Sequence, residues 1–156
     1  MVTSRSDHPR EVAAVEAALT TLVRRAKLPE AHAAVARTAG VALDRAAYVV
    51  LTRIGEWGPL RLSELAERLG ADVSTASRHV HQLQLDGYVD RAEDPTDRRA
   101  WLLSLTPTGA DAVARVRLAR QAAVAQLLED WSAEDRRALA RLLGRLVESL
   151  TRGDTA

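Results

Sequence analysis

Two short helical patterns joined by a tight, glycine-containing turn restrict the fold of this chain more than any other feature. The first pattern, "ELAERLG", has apolar residues at helical spacing, Ser63 as its predicted cap and Gly70 as its end. The second pattern, "VSTASRHVHQLQLDG", starts after Asp72 and ends at Gly87. Two helices this short and this close together are typical of a helix-turn-helix.

A β-hairpin is predicted directly after the second helix. The strand-forming stretches "YVDRAE" and "RAWLLSL" flank the turn "DPTD", residues 94–97, which places Arg98 and Arg99 at the tip of the hairpin. A two-stranded ribbon behind a helix-turn-helix is a wing. The predicted fold class is therefore mainly α, a winged helix-turn-helix with a two-stranded wing, flanked by N- and C-terminal helices.

The helices before the winged region are marked by clear start and stop signals. Residues 8–27 have the spacing of one helix, a shorter helix follows Pro29 and ends at Gly40, and Asp44 is predicted to cap the next. The apolar face of this third helix is predicted to comprise Ala47, Val50, Leu51, Ile54 and Trp57.

Two more helices are predicted after the hairpin. Thr106-Pro107 starts the first of them, with proline at its tolerated first position, and the helix runs to about Asp130. Ser132 is predicted to cap the last helix, which carries an apolar stripe. The stripe consists of Leu139, Leu142, Leu143, Leu146, Val147 and Leu150.

The second helix of the helix-turn-helix has two different faces. At about 100° per residue, Val73, Ala76, Val80 and Leu83 form an apolar wedge that is predicted to be buried. The opposite face is polar: arginine can bind a guanine edge, glutamine an adenine edge, and serine or threonine a phosphate or a base. A solvated surface helix would also be polar, but this face lacks the usual mixture of glutamate and lysine. The outward polar residues are Ser74, Thr75, Arg78, His81 and Gln82.

The arginines of the predicted wing suggest a contact with a neighbouring minor groove. A narrow minor groove has a strong negative potential that attracts arginine, so Arg98 or Arg99 could insert there. Asp97 could hold the inserting guanidinium extended through a paired hydrogen bond. The alternative is a solvated turn with a local Asp–Arg pair that contributes little to stability.

Composition limits the possible classes of function. The chain has 156 residues, 47% of them hydrophobic, and no cysteine, which excludes disulfides, thiol redox sensing and cysteine-ligated zinc. No apolar run of about 18 residues and no signal-peptide pattern occurs, so a cytoplasmic protein is expected. The net charge is +1, and residues 61–99 hold six arginines against eight carboxylates. DNA binding therefore has to depend on where the arginines lie.

Residues 62–109 resemble the winged helix-turn-helix core of the MarR (multiple antibiotic resistance regulator) family. "DPTDRR" and "LTPTG" are the most specific parts, and the flanking helices fit in length and order. The resemblance implies that residues 73–86 enter a major groove and that Arg99, supported by Asp97, enters a minor groove, with Arg98 as the alternative. The predicted DNA-binding residues are Ser63, Ser74, Thr75, Ser77, Arg78, His81, Gln82, Asp97, Arg98 and Arg99.

The resemblance also implies an obligate homodimer in which the first and last helices interlock. The leucine stripe of the last helix supports this, because a short bundle buries such a stripe only against another element, and a two-fold partner provides one. Packing on the chain's own first helix is the alternative. The predicted domains are residues 1–43 and 107–156 for dimerisation and 44–106 for DNA. Two-fold symmetry would set the recognition helices roughly 34 Å apart, which matches an inverted-repeat operator.

Family members usually repress transcription and are released by small molecules, often phenolic or other anionic aromatic compounds. The resemblance places such an effector between the dimer helices and the DNA-binding lobe, and it points to His32, Tyr48, Arg53 and Trp57 as candidates. Tyr48 and Trp57 lie near the core face of their helix and could simply pack there. No cofactor is predicted, and the four histidines do not form a convincing zinc-ligand spacing.

An enzyme and a protein–protein contact module are the two alternative classes of function. An enzyme is not expected, because the sequence shows no Ser/His/Asp set, paired carboxylates, phosphate-binding glycine loop or metal cluster. A winged helix used only for protein–protein contact remains open, since the residues of the winged region carry a net charge of −2. Binding to duplex DNA that weakens with salt would distinguish the two readings.

Overall fold

The computed structural model describes residues 8–153 of the chain, without the side chain of Arg98. In this part the chain forms helices and a small antiparallel sheet, which confirms the predicted mainly α winged helix-turn-helix. The elements are α1 (His8–Ala26), α2 (Pro29–Ala39), α3 (Arg45–Trp57), β1 (Leu60–Arg61), α4 (Leu62–Leu69), α5 (Val73–Leu85), β2 (Val89–Asp94), β3 (Asp97–Leu105), α6 (Pro107–Leu127) and α7 (Ala133–Gly153).

The sheet has three strands in the order β1-β3-β2, so the short β1 extends the predicted two-stranded wing. The turn between β2 and β3 is shorter than predicted, because Asp94 already pairs with Asp97 across the ladder. Asp94 closes this turn by accepting hydrogen bonds from the backbone N–H and the hydroxyl of Thr96. As a result, Arg98 and Arg99 lie in the first part of β3 and not at the tip of the turn.

Local capping signals explain most of the helix ends. Asp44 accepts a hydrogen bond from the N–H of Ala47, and Ser132 accepts one from the N–H of Asp135, as predicted for both caps. Gly40 ends α2 with a φ of 63°, a left-handed conformation that favours glycine.

Two predicted helix ends were wrong. Ser63 is not the cap of α4: the N-cap is Arg61, two residues earlier, and the helix begins at Leu62 and not at Glu64. The reason is Glu64, whose carboxylate accepts a hydrogen bond from the backbone N–H of Arg61 at 3.1 Å. The helix α6 ends at Leu127, three residues before the predicted Asp130, and a turn follows.

The hydrophobic core lies around α3, α4, α5 and the sheet. Ala76, Val80 and Leu83 of α5 are buried as predicted, but Val73 is 52% exposed. Val73 lies at the edge of the apolar wedge and in the first turn of α5, so it extends past the packed part of the helix. The largest fully buried side chains are Leu51, Ile54, Leu65, Leu83 and Val116.

The described residues form two compact units that divide between Ala119 and Arg120, within α6. This boundary reflects packing and does not test the division by role into residues 1–43, 44–106 and 107–156, which stays a prediction. No helix in residues 8–153 is both long and apolar enough to cross a membrane.

Candidate nucleic-acid interface

The polar face of α5 points away from the core. The helix buries Ala76, Val80 and Leu83, so the opposite side remains available to a partner. Thr75 is partly exposed, and the other predicted contacts on this helix are exposed. These are Ser74, Ser77, Arg78, His81 and Gln82.

Asp72 organises the N-terminal end of α5. Its carboxylate accepts hydrogen bonds from the hydroxyl of Ser74, and from the hydroxyl and the backbone N–H of Thr75 at 2.7 and 2.8 Å. These bonds, led by the one from Ser74, hold the pKa of the Asp72 carboxyl well below its usual range. In this arrangement both hydroxyl protons are directed to Asp72, so either side chain has to rotate before it can donate to a phosphate.

Arg78 and Gln82 of α5 are held by residues one turn away along the chain. Arg78 donates to the hydroxyl of Thr75 at 3.3 Å, and Gln82 donates to Asp86 at 3.0 Å. Both contacts are exposed to solvent and therefore contribute little to stability. A guanidinium has several N–H donors in a planar fork, so Arg78 can keep this contact and still offer donors to a guanine edge.

A cleft of about 460 Å³ separates α5 and the start of α4 from the wing. It brings together three of the predicted DNA contacts, Ser63, Ser77 and His81, with Arg91 and Trp101 of the sheet. The Arg91 guanidinium lies 4.8 Å from the centre of the Trp101 ring, which is a cation–π distance.

Arg91 and Trp101 were not among the predicted site residues. In the ladder Arg91 faces Leu103 and Glu93 faces Trp101, so Arg91 and Trp101 are diagonal neighbours on one face of the sheet. The strand patterns alone do not give this pairing, because it also requires the register of the hairpin. A two-residue turn at Pro95 and Thr96 was the feature of the sequence that could have set this register.

The wing is fixed by carboxylates in a way that the sequence did not predict. Asp97 accepts a hydrogen bond from the backbone N–H of Arg99 at 3.1 Å. Asp94, which is only 6% exposed, binds Arg61 of β1. Arg99 itself is exposed, as a groove contact requires.

The four effector candidates form two separate pairs. His32 lies against Tyr48 with 5.6 Å between ring centres, and its Nε2 is 3.0 Å from the carbonyl oxygen of Leu43. Arg53 lies over Trp57, as does Arg68 of α4, at 5.6 and 5.2 Å from the ring centre. Tyr48 and Trp57 are nine positions apart on α3, which places them on opposite faces of this helix. The four residues therefore do not line one pocket.

Residues 8–153 contain no group of three or more histidine, aspartate or glutamate side chains placed to hold a metal ion.

Comparison with known proteins agrees with this architecture. The family model described as the MarR family matches residues 43–101. The HTH-type transcriptional regulator YxaD of Bacillus subtilis is 33% identical over 132 residues, which is 85% of this chain and 90% of that protein.

Solved structures with the same fold include a MarR family protein from Bacillus stearothermophilus. It is 24% identical, has a TM-score of 0.79, and the match covers 92% of this chain and 97% of that one. RV1404 from Mycobacterium tuberculosis is 28% identical with a TM-score of 0.71, over 86% of this chain and 92% of that one. Together with the helix-turn-helix and wing described above, these matches show that the chain belongs to the MarR family of helix-turn-helix transcriptional regulators.

Proposed function

We propose that this regulator is a homodimeric repressor that binds an inverted-repeat operator and is released by a small aromatic or anionic effector. The observation that carries the proposal is the cleft between α5 and the wing. It sets Ser77 and His81 of the recognition helix beside Arg91 and Trp101 of the ribbon. A helix in a major groove with a ribbon at the adjacent minor groove requires such close neighbours.

Each group of residues has a distinct role in this proposal. Arg78 reads base edges from the middle of α5, while Ser63 and Ser74 bind phosphates at the helix starts. Arg99 enters the minor groove, with Arg98 as the alternative. Asp97 supports Arg99 through the main chain, because its carboxylate binds the backbone N–H of that residue.

The terminal helices supply the reason for a dimer. Along α1, Val12, Val15 and Leu22 are each more than half exposed, and so are Val147 and Leu150 on α7. Apolar faces of this extent on a small protein mark an interaction surface. A second copy related by two-fold symmetry would cover them and set two recognition helices on one face of the duplex.

Arg53 and Trp57 are the better of the two effector pairs. Tyr48 is only 6% exposed and is part of the core, whereas Trp57 is partly exposed between two guanidinium groups. An indole ring beside cations suits an aromatic anion, which can stack on the ring and pair with an arginine. Family members release DNA in response to such compounds, and this habit supports the proposal.

The replacement Arg78→Ala tests specific DNA binding. Operator sequences would first be selected from random duplexes with the unmodified protein, and affinities then measured by fluorescence anisotropy at several salt concentrations. Loss of a base-reading arginine is expected to cost about 1–3 kcal/mol on the selected operator and much less on random duplex. Arg37→Ala, which removes an exposed arginine from the last turn of α2, is the matched control and should change neither.

Two outcomes would contradict the proposal. Equal losses on operator and random duplex would show that Arg78 contacts only the backbone. Phosphate-driven affinity for DNA is strongest at low salt. If the unmodified protein retards no duplex even at low salt, the winged helix therefore acts in protein–protein contact.

A further inference from the structure

Arg61 connects the helix-turn-helix to the wing. It is the N-cap of α4, and its backbone pairs with Leu102 of β3. Its side chain reaches Asp94 at the end of β2, with Nε 2.9 Å and Nη2 2.6 Å from Oδ2 of the carboxylate. The two residues are 33 positions apart in sequence, so this side-chain contact joins the two outer strands of the sheet, which otherwise pair only with β3.

Asp94 also binds the turn of the wing. Its second oxygen, Oδ1, accepts the backbone N–H of Thr96 at 2.8 Å and the hydroxyl of the same residue at 2.6 Å. The register of the hairpin shifts between Glu93 and Asp94. Such an irregularity re-aims a side chain, and here the Asp94 carboxylate is buried although β2 is otherwise mostly exposed.

A second branch leads from Arg61 to Arg99. Nη2 of Arg61 lies 3.7 Å from Oδ2 of Asp97, whose other oxygen accepts the backbone N–H of Arg99. A continuous set of polar contacts therefore runs from the first residue before α4 to the main chain of the wing arginine. A planar guanidinium can bind one carboxylate with two nitrogens and approach a second, which a lysine ammonium cannot do in the same geometry.

We propose that Arg61 is a positioning residue for DNA binding: it fixes the direction of the β2–β3 turn relative to α4 and α5, so that Arg99 reaches the minor groove. This inference rests on the proposed function, because it concerns how the wing of a DNA-binding lobe is aimed. Arg61 acts through Asp94 and Asp97 and does not itself contact the duplex. A direct phosphate contact by Arg61 is the competing role that the experiment has to separate.

The test is a double-mutant cycle between Arg61 and Arg99 on the selected operator. Arg61→Gln alone is expected to weaken binding roughly tenfold, the order of one well-placed arginine contact. In the Arg99→Ala background the same change should have almost no effect on operator affinity, because the side chain that Arg61 positions is then absent. Arg37→Gln, at an exposed position in the last turn of α2, is the control and should lose no affinity that depends on Arg99.

A lysine variant separates positioning from direct contact. Arg61→Lys keeps the positive charge but not the two-nitrogen contact with Asp94, so it should behave as Arg61→Gln does. Affinity that is preserved by lysine, or losses that are the same with and without Arg99, would overturn the positioning role. If no duplex is bound by the unmodified protein, the proposed function and this inference fail together.

A measurement without DNA distinguishes local loosening of the wing from unfolding of the whole variant. Amide hydrogen exchange at Thr96 and Arg99 should become faster in Arg61→Gln, while exchange at the buried Leu51 and Leu83 of α3 and α5 stays slow. Asp94→Asn removes the other half of the pair and should show the same local loosening and the same dependence on Arg99. Unchanged exchange in the wing of both variants would contradict the inference.

Discussion

The winged-helix lobe and the terminal helices α1 and α7 differ in how far their apolar side chains are exposed. In the described part of the chain, the buried hydrophobic residues all lie between Ala36 and Ala119, and α1 has none. On α7, Leu142, Val147 and Leu150 are 51–62% exposed. Residues 36–119 therefore complete a core of their own, whereas α1 and α7 carry apolar faces that need a partner. One copy of the chain is enough to form the reading helix, and our proposal requires two copies for the operator.

A charge on α7 should have the largest effect. If two-fold symmetry covers the exposed 40% of Leu143 in both copies, Leu143→Glu places an unpaired carboxylate in the interface of each, at a cost on the order of several kcal/mol per charge. The dimer should then dissociate at micromolar concentration. Sedimentation equilibrium of the full chain measures this directly, and circular dichroism reports whether the helices remain.

The control for this variant lies on the opposite face of the same helix. Arg141→Glu changes the charge by more than Leu143→Glu does, but Arg141 is displaced by two positions and so lies well away from the stripe. It should leave the dimer intact. A Leu143→Glu protein that remains dimeric would show instead that the stripe packs on its own chain, and the contrast between lobe and helices would disappear.

A cavity in the lobe should lower the stability of the fold and leave the dimer intact. Leu51 is fully buried in α3, so Leu51→Ala is expected to lower the free energy of unfolding by about 2–5 kcal/mol while the folded protein stays dimeric. Urea denaturation combined with sedimentation tests both parts. Val49→Ala on the same helix should cost less, because Val49 is 39% exposed. Dissociation of the Leu51→Ala dimer before unfolding would mean that the lobe and the interface are not independent.

The elements that the sequence predicted well are those with local causes. Asp44, Asp72 and Ser132 cap their helices through bonds that span three residues, so the starts of these helices could be read from the chain. The exposed polar face of α5 follows from helical geometry alone. Val73 was misplaced because its exposure depends on where packing stops, which no periodicity records.

What the sequence missed depends on contacts between distant residues. The contact between the Arg61 side chain and Asp94 could not be predicted, because only the sheet brings these two residues together. The stacking of Arg91 on Trp101 depends in the same way on hairpin register. The turn of the wing was predicted to be longer than it is. Its hydrogen bonds come from Asp94, which also binds Arg61 outside the hairpin.

The smallest expected effect is a pH dependence located in the lobe. The bonds from Thr96, and then the pairing with Arg61, lower the pKa of Asp94 from 3.8 to about 2. Since the folded-state pKa is the lower one, this carboxylate adds stability that is complete above pH 4 and is lost as the pH falls from about 4 to 2. Asp94→Asn should be less stable at neutral pH and should show a shallower loss across that window.

The acid effect sharpens the contrast between lobe and helices because burial of leucine involves no proton. Thermal unfolding at pH 2, 3, 4 and 7 measures it, with Asp111→Asn on the exposed surface of α6 as the control. Asp72 should keep part of the slope in Asp94→Asn, since its pKa is also lowered, by bonds from Ser74 and Thr75. An equal slope in Asp94→Asn and the unmodified protein would place the acid sensitivity outside the wing, and the Asp94 contacts would then not be needed to explain it.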